Sequence, residues 1–485
     1  MRTFVTILAF VIYFTSDIII FSQPWPVPVQ PDTTGFGKNV SRTMYLLSSS
    51  TPQHRKKVKI MIYGQSISKQ EWWLQTKNFV EKKYPFADLE MINLSIGGFS
   101  SVLLWRTVLM DVATWYPDLI IMQVTGDHRY YDTIVNMFRT YTTAEVCLQT
   151  DHIQSKAEID EINKYGGISS YPSDWNNILK KNNGNWVNWM GFITIPAIAT
   201  KYKCELIQLR TEWLKYIQNN DIEPVSLTID GTHLNEQGNY LFAEITNQHL
   251  IYKYYDPDPD GLVKTYDVGK DIRFTDGKLK LEFTGNKIEF IAANSKGNNE
   301  TAKILIDGKK PSEWKECYSY NRPNKNVGND WPWTSGTFFR MLHNSPLVVE
   351  NWILTFNHVV KKDSQIVDAD YKVVGSVTGF DGTGSIGADF TSNTGRVIIL
   401  KGDWWINKGF HQKDITDGST VTWSVNPLFT DTYTTPQAIT DTTKEMITNI
   451  VQGLPNTKHT LEIITKEMKG IPIKAIRIYR PLFGR

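Results

Sequence analysis

The chain has 485 residues, enough for two or three domains with real cores, and its 41% hydrophobic and 21% charged residues are those of an ordinary globular protein. Lys+Arg 52 against Asp+Glu 50 leaves no strong charge bias, so nothing electrostatic points to nucleic acid as a partner. The three cysteines, Cys147, Cys204 and Cys317, lack metal-ligand spacing; so sparse and odd a set excludes a disulfide framework while permitting one bridge.

Met1-Arg2 is followed by an apolar run to Phe14, and Asp17 interrupts the apolar residues that continue to Ser22. A basic start, an apolar middle and a small residue before a polar stretch read as a secretory signal peptide over residues 1–22, implying a secreted or periplasmic protein. No other segment approaches membrane-spanning length, so no membrane partner is expected after cleavage. Residues 23–56 are rich in Pro, Thr and Ser and read as a leader lying along the surface.

From residue 57 the pattern alternates. Val58-Lys-Ile-Met-Ile-Tyr63 is apolar, β-branched and too short for a helix, so it predicts a buried strand ending at Gly64. Trp72, Trp73, Thr76, Phe79 and Val80 recur at helical spacing. Ser66 therefore sits where a strand hands over to a helix. A hydroxyl there is poised for nucleophilic attack, with unpaired amide donors beside it, or it is simply a helix cap. Further strands are expected over Asp88–Leu94, Asp118–Val124, Ala144–Thr150 and Cys204–Leu209, with helical patterns around Leu103–Met110 and Ile195–Tyr202. Strands alternating with helices imply a parallel sheet covered on both faces.

Polar residues follow the predicted strand ends: Ser66, Gly98, Asp127 and His152. In open parallel sheets ligands bind at that edge. Near the end of this unit, Asp230-Gly-Thr-His233 precedes a further helix. A short loop can hold that carboxylate against one imidazole nitrogen and leave the other free as a base.

These blocks together resemble the SGNH/GDSL hydrolase family over residues 57–255. Gly64-Gln-Ser66 resembles its first block, in the Gly-Gln-Ser form of carbohydrate acetylesterase branches, and Asn93-Leu-Ser-Ile-Gly-Gly98-Phe-Ser-Ser its second. Thr125-Gly-Asp127-His128 occupies the third block and Asp230-Gly-Thr-His233-Leu-Asn, with Gly238, the fifth. The resemblance implies a flavodoxin-like three-layer α/β fold, Ser66 as nucleophile, His233 as base and Asp230 as its orienting partner. It also implies an oxyanion hole from the Ser66 and Gly98 amides, and no metal or cofactor. The family's third block carries an asparagine where this chain has Asp127. An ionised carboxylate only accepts hydrogen bonds and would repel an oxyanion. Either Asp127 is protonated or outside the hole, or it binds substrate or acts as an acid. Gln65, His128, Arg129 and His152 are candidate substrate contacts.

Asp256-Pro-Asp258-Pro-Asp260-Gly261 marks a boundary and reads as a rigid acidic linker, residues 256–262; it mimics a calcium loop only loosely. Beyond it the hydrophobic period changes to two, around Leu279, Leu281 and Phe283, with a hairpin signal at Asp307-Gly308 and strands over Thr460–Thr465 and Ile473–Tyr479. Residues 453–459 read as the turn before those last strands. Residues 263–485 are expected to form an antiparallel β-sandwich of jelly-roll type. Trp331, Trp333, Trp404 and Trp405 fall in its loops, either filling the sandwich or stacking on sugar faces. The implied activity is an exported serine esterase that deacylates a carbohydrate. A carboxylate glycosidase on the same fold and a non-catalytic glycan-binding protein are the alternatives.

Overall fold

The computed structural model describes residues 25–484 apart from 30–31, 175, 177–183, 294–298, 326–330, 334–335, 407–414 and 437–438. The expected signal peptide lies outside the described residues. No helix among those described is long and apolar enough to cross a membrane.

Five parallel strands organise the first region: β1 (Lys57–Gly64), β2 (Asp88–Asn93), β3 (Leu119–Gln123), β4 (Glu145–Gln149) and β5 (Glu205–Ile207). Their order in the sheet is β2-β1-β3-β4-β5, the flavodoxin-like order. Every residue of β3 and β4 is buried, as central strands covered by helices on both faces must be. The helices Trp72–Lys83 and Glu236–Asn247 meet through Trp72 and Phe242, whose rings lie 4.6 Å apart. The helix His128–Tyr141, which the sequence reading passed over, buries Tyr131, Ile134, Val135 and Phe138 at helical spacing.

Two local readings of this region need correction. Residues 23–56 do not simply lie on the surface. A helix over Ser41–Ser48 sends Met44 and Leu47, with Val40 before it, into the main core. Buried Glu145 fixes its start by accepting the Arg42 and Thr43 amides at 2.9 and 2.7 Å. The helix expected around Leu103–Met110 is instead broken into a short α-turn at Ser101–Leu104, a 3-10 turn at Trp105–Thr107 and a π-turn at Leu109–Ala113.

The C-terminal region is antiparallel throughout, in two main sheets. One has the order Thr432–Thr434, Thr301–Ile306, Ile447–Thr465, Lys278–Ala292, Ile473–Tyr479, Val263–Asp267. The other runs Gly379–Ser385, Gln365–Gly375, Asn351–Lys362, Thr420–Pro427, Tyr318–Tyr320. Each has its own apolar cluster, around Phe290, Ile304 and Leu461 in the first and around Trp352, Phe356 and Tyr371 in the second. The five-stranded sheet lies, in sequence, between the strands of the six-stranded one.

Residues 453–459 are not a turn. They belong to the long strand Ile447–Thr465, whose register against Lys278–Ala292 slips between Gln452 and Thr457. Gly453, at φ 102°, makes that bulge possible, because a Cβ there would stand 2.3 Å from the Glu316 carbonyl oxygen. The Asp307-Gly308 turn does form, with Ile306 and Lys309 exchanging amide bonds. The chain then leaves through Pro311–Glu313, and Thr301–Ile306 pairs with later strands instead of forming a hairpin.

The two regions are tied by polar contacts that are mostly buried. Arg322 donates to both Asp111 carboxylate oxygens at 2.8 and 2.6 Å and to the Leu94 carbonyl at 2.7 Å. Asp403 accepts from Arg106 at 2.9 Å and from Arg340 at 2.6 Å. Gln452 donates to the carbonyls of Ala113 and Thr114. In the 256–262 stretch, Asp258 accepts the Leu262 and Val263 amides and Asp260 pairs with Lys203. Cys147, Cys204 and Cys317 are buried and lie outside any disulfide among the described residues.

Candidate active site

The site is built where β1 ends. A Cβ on Gly64 would lie 1.9 Å from the Gln123 carbonyl oxygen, so only glycine lets the chain turn there. Ser66 then opens the 3-10 turn Ile67–Lys69 at φ −59°, ψ −37°, and its side chain makes no capping hydrogen bond. Ser68 is the structural serine of the pair: it is buried and donates to the Gln123 carbonyl at 3.0 Å. The Ser66 hydroxyl instead stands 3.0 Å from His233 Nε2.

The loop carrying His233 is closed by the bond from Ile229 N–H to the His233 carbonyl at 2.7 Å. Within it Asp230 Oδ1 accepts the Thr232 and His233 amides at 2.9 and 2.7 Å, and Oδ2 faces His233 Nδ1 at 2.7 Å. The amide and then the ring of His233 hold the Asp230 carboxyl down at about 2. An ionised Asp230 fixes Nδ1 as the protonated nitrogen and leaves Nε2 to accept a proton from Ser66.

A connection that sequence reasoning missed joins the two loops. Gln70 donates to the Leu234 carbonyl at 3.0 Å and accepts the Leu234 amide at 2.9 Å. The Trp72 amide donates to Asn239 Oδ1 at 3.0 Å. Gln70 lies one helical turn beyond Ser66, and Leu234 directly follows His233, so this reciprocal pair sets the distance between hydroxyl and imidazole. No local spacing encodes it, because its two halves are 164 residues apart.

Beside Ser66 lies the Gly97-Gly98 turn. A Cβ on Gly97 would meet Ser66 Cβ at 4.0 Å, and Gly98 takes φ +74°, a conformation suited to glycine. Among the described residues, neither the Ser66 nor the Gly98 amide N–H has a hydrogen-bond acceptor. These are the donors an oxyanion would need.

Asp127 is occupied elsewhere. It caps the helix His128–Tyr141, accepting the Arg129 amide at 2.8 Å, and its two oxygens take Arg129 Nε at 3.0 Å and Nη2 at 2.5 Å. The Arg129 side chain holds this carboxyl down at about 2, which favours its ionised form. Gln65 is likewise committed: its Oε1 accepts from the Thr125 hydroxyl at 3.1 Å, bracing the first loop against the third. His128 is half-exposed between Trp186 and Trp189, with ring centres 5.6 and 5.5 Å away. Trp186 in turn donates to the Gly126 carbonyl at 2.9 Å. Arg129 is exposed.

His152 must be corrected. It was expected as a substrate contact, yet its side chain is 0% exposed, packed on Trp213 and paired through Nδ1 with Asp151 at 2.9 Å.

The tryptophans of the C-terminal region fill neither a sandwich core alone nor open solvent. Trp331 and Trp405 are buried in the core cluster of the first region, and Trp333 packs against it. Trp331 and Trp333 border the Gly97–Phe99 turn, and Trp405 backs Trp333. Trp331 and Trp333 lie 6.2 and 6.1 Å from Phe99, and Trp333 stands 5.1 Å from Trp405. Trp404, like Trp352 and Trp423, packs inside the sheet, against Phe338 and Tyr371.

No family model matches the chain, and a search of curated proteins returns no match. Solved structures do show similarity. A two-domain esterase active on acetylated mannans is 13% identical, with 91% of this chain and 95% of that chain covered and a TM-score of 0.33. An acetylxylan esterase from Geobacillus stearothermophilus is 11% identical over 42% of this chain and 99% of its own, with a TM-score of 0.33. An acetyl xylan esterase that is 21% identical covers 39% of this chain and 98% of its own, with a TM-score of 0.30.

Proposed function

We propose that the protein is an exported serine esterase of the SGNH type that removes acetyl or similar small acyl groups from a carbohydrate. One observation carries the reading: Ser66 Oγ, His233 Nε2 and Asp230 form a continuous hydrogen-bonded chain, 3.0 and 2.7 Å long, at the carboxyl edge of a parallel sheet. In the reaction Ser66 attacks the ester carbonyl while His233 takes its proton. The imidazolium, steadied by Asp230, then protonates the departing sugar oxygen. Water attacks the acyl-enzyme by the same route and releases the acid. The tetrahedral oxyanion is met by the Ser66 and Gly98 amides. Carbohydrate is the proposed substrate because the sequence blocks resemble the Gly-Gln-Ser branch and because an aromatic ring, Trp186, borders the third of the loops around Ser66.

A glycosidase using carboxylates is disfavoured. Asp127 and Asp230 are both held at about 2, so neither supplies the protonated acid that glycosidic cleavage needs. Product analysis on acetylated polysaccharides tests the reading. Acetate released by the wild type and lost in Ser66→Ala supports it. Reducing sugar as the product, or sugar binding without labelling of Ser66 by a fluorophosphonate, overturns it.

A further inference from the structure

We propose that Trp333, contributed by the C-terminal region, is a positioning residue for the oxyanion hole: its indole N–H selects the orientation of the Gly97–Gly98 peptide that aims the Gly98 amide at the reacting carbonyl. This rests on the esterase reading above. The indole Nε1 donates to the Gly97 carbonyl oxygen at 2.7 Å. The Gly97–Gly98 bond is trans, since among the described residues the cis bond is Trp331–Pro332. In a planar trans peptide the C=O and the following N–H point in opposite directions. Holding the carbonyl against Trp333 therefore turns the Gly98 N–H away from the indole, and that N–H has no acceptor among the described residues.

The need for such a clamp follows from the sequence. A Gly-Gly peptide flips at little cost, because both residues reach either sign of φ. In the flipped state the Gly97 oxygen, not the Gly98 amide, would face the developing negative charge and repel it. The contact also limits shape. A Cβ on Gly98 would come within 2.7 Å of Trp333 Cζ2, so the ring lies directly on the Gly98 backbone. Phe99 and Trp405 meet the same indole edge-on, at 6.1 and 5.1 Å, and fix its plane. The C-terminal region thus supports the oxyanion hole through a residue with no hydrogen bond to Ser66 or His233 among the described residues.

Two variants of the full chain test this. Trp333→Phe keeps a ring and removes the N–H; replacement of Trp333 by 3-benzothienylalanine keeps the indole outline and removes only the donor. Losing a hole donor costs roughly a hundredfold in kcat, and misorienting one that can still return should cost about tenfold. Both variants are expected to show that fall in kcat at unchanged KM and Tm. The pH profile should keep its shape, because His233 and Asp230 are untouched. Crystals of both variants should show the Gly97–Gly98 peptide rotated. The inference is overturned if kcat stays within about threefold of the wild type, or if the loss lies wholly in KM, or if the peptide plane is unmoved. Should Ser66→Ala leave turnover intact, the esterase reading fails by itself, and the peptide orientation in the variant crystals still decides the role of Trp333.

Discussion

Among the histidines that face an aspartate through Nδ1, His233 and His152 make the sharpest contrast. His233 meets Asp230 at 2.7 Å on the rim, with 36% of its side chain exposed; His152 meets Asp151 at 2.9 Å in the interior, with 0% exposed. The difference lies in the second ring nitrogen. His233 Nε2 faces a hydroxyl at 3.0 Å, while His152 Nε2 is enclosed and has no hydrogen-bond partner among the described residues. A His–Asp pair therefore becomes chemistry only when its free nitrogen reaches a proton that a substrate can share. Inside, the same pair serves the packing: Gln123 donates to Asp151 at 3.2 Å, and Arg210 donates to the His152 carbonyl at 2.6 Å. Burial pushes the Asp151 carboxyl up, but the facing imidazole outweighs it and leaves that group below its usual range.

The sharpest way to break the contrast is to remove the hydroxyl at the rim. Ser66→Ala should lower kcat on an acetylated polysaccharide by on the order of a thousandfold or more, with the urea midpoint unchanged. Next in size is Asp230→Asn, which favours the wrong tautomer and should cost roughly a hundredfold or more in kcat with little change in KM. The interior pair should answer in the other currency. His152→Ala leaves Asp151 buried without its imidazole and is expected to cost about 3 kcal/mol in urea denaturation. Per folded molecule, its kcat should stay within about threefold of the wild type. A large loss of turnover there, with stability intact, would erase the distinction between the two pairs.

The smallest effect is expected at Asp127→Asn, which keeps a helix cap but removes the charge. Asp127 has its pKa depressed to about 2, so the stability it contributes is present above its unfolded value near 3.9 and is lost as pH falls through about 2. The wild type and the variant should differ by less than about 1 kcal/mol at pH 7, and the gap should close below pH 4. Its kcat should move by less than about threefold; a large gain would mean that this carboxylate opposes the oxyanion after all.

The parallel sheet was legible because β1 to β5 are short apolar runs in a fixed alternation with helices, and period alone reveals them. The loop Asp230–His233 was legible because its geometry is local: one aspartate reaches two amides and a ring within four residues. His152 misled because an aspartate beside a histidine at a strand end looks the same whether the ring turns inward or outward; Trp213, which covers it, comes from a distant helix. The Gln70–Leu234 pair and the Trp333–Gly97 contact were out of reach for the same reason. Both depend on which segments the tertiary fold brings together, and neither leaves a spacing to read. At residues 453–459, Gly and Pro suggested a turn, whereas here they let one long strand bend.

The interleaving of the two antiparallel sheets has a consequence for synthesis. The strand Val263–Asp267 pairs with Ile473–Tyr479, far later in the sequence, and the Phe483 amide donates back to the Arg139 carbonyl at 3.2 Å. Because those contacts join distant segments, the six-stranded sheet cannot close on the ribosome until Ile473–Tyr479 has been made. Removing Ile473–Tyr479 would take away the strand that joins Val263–Asp267 to Lys278–Ala292, so this strand acts as the latch that closes the sheet.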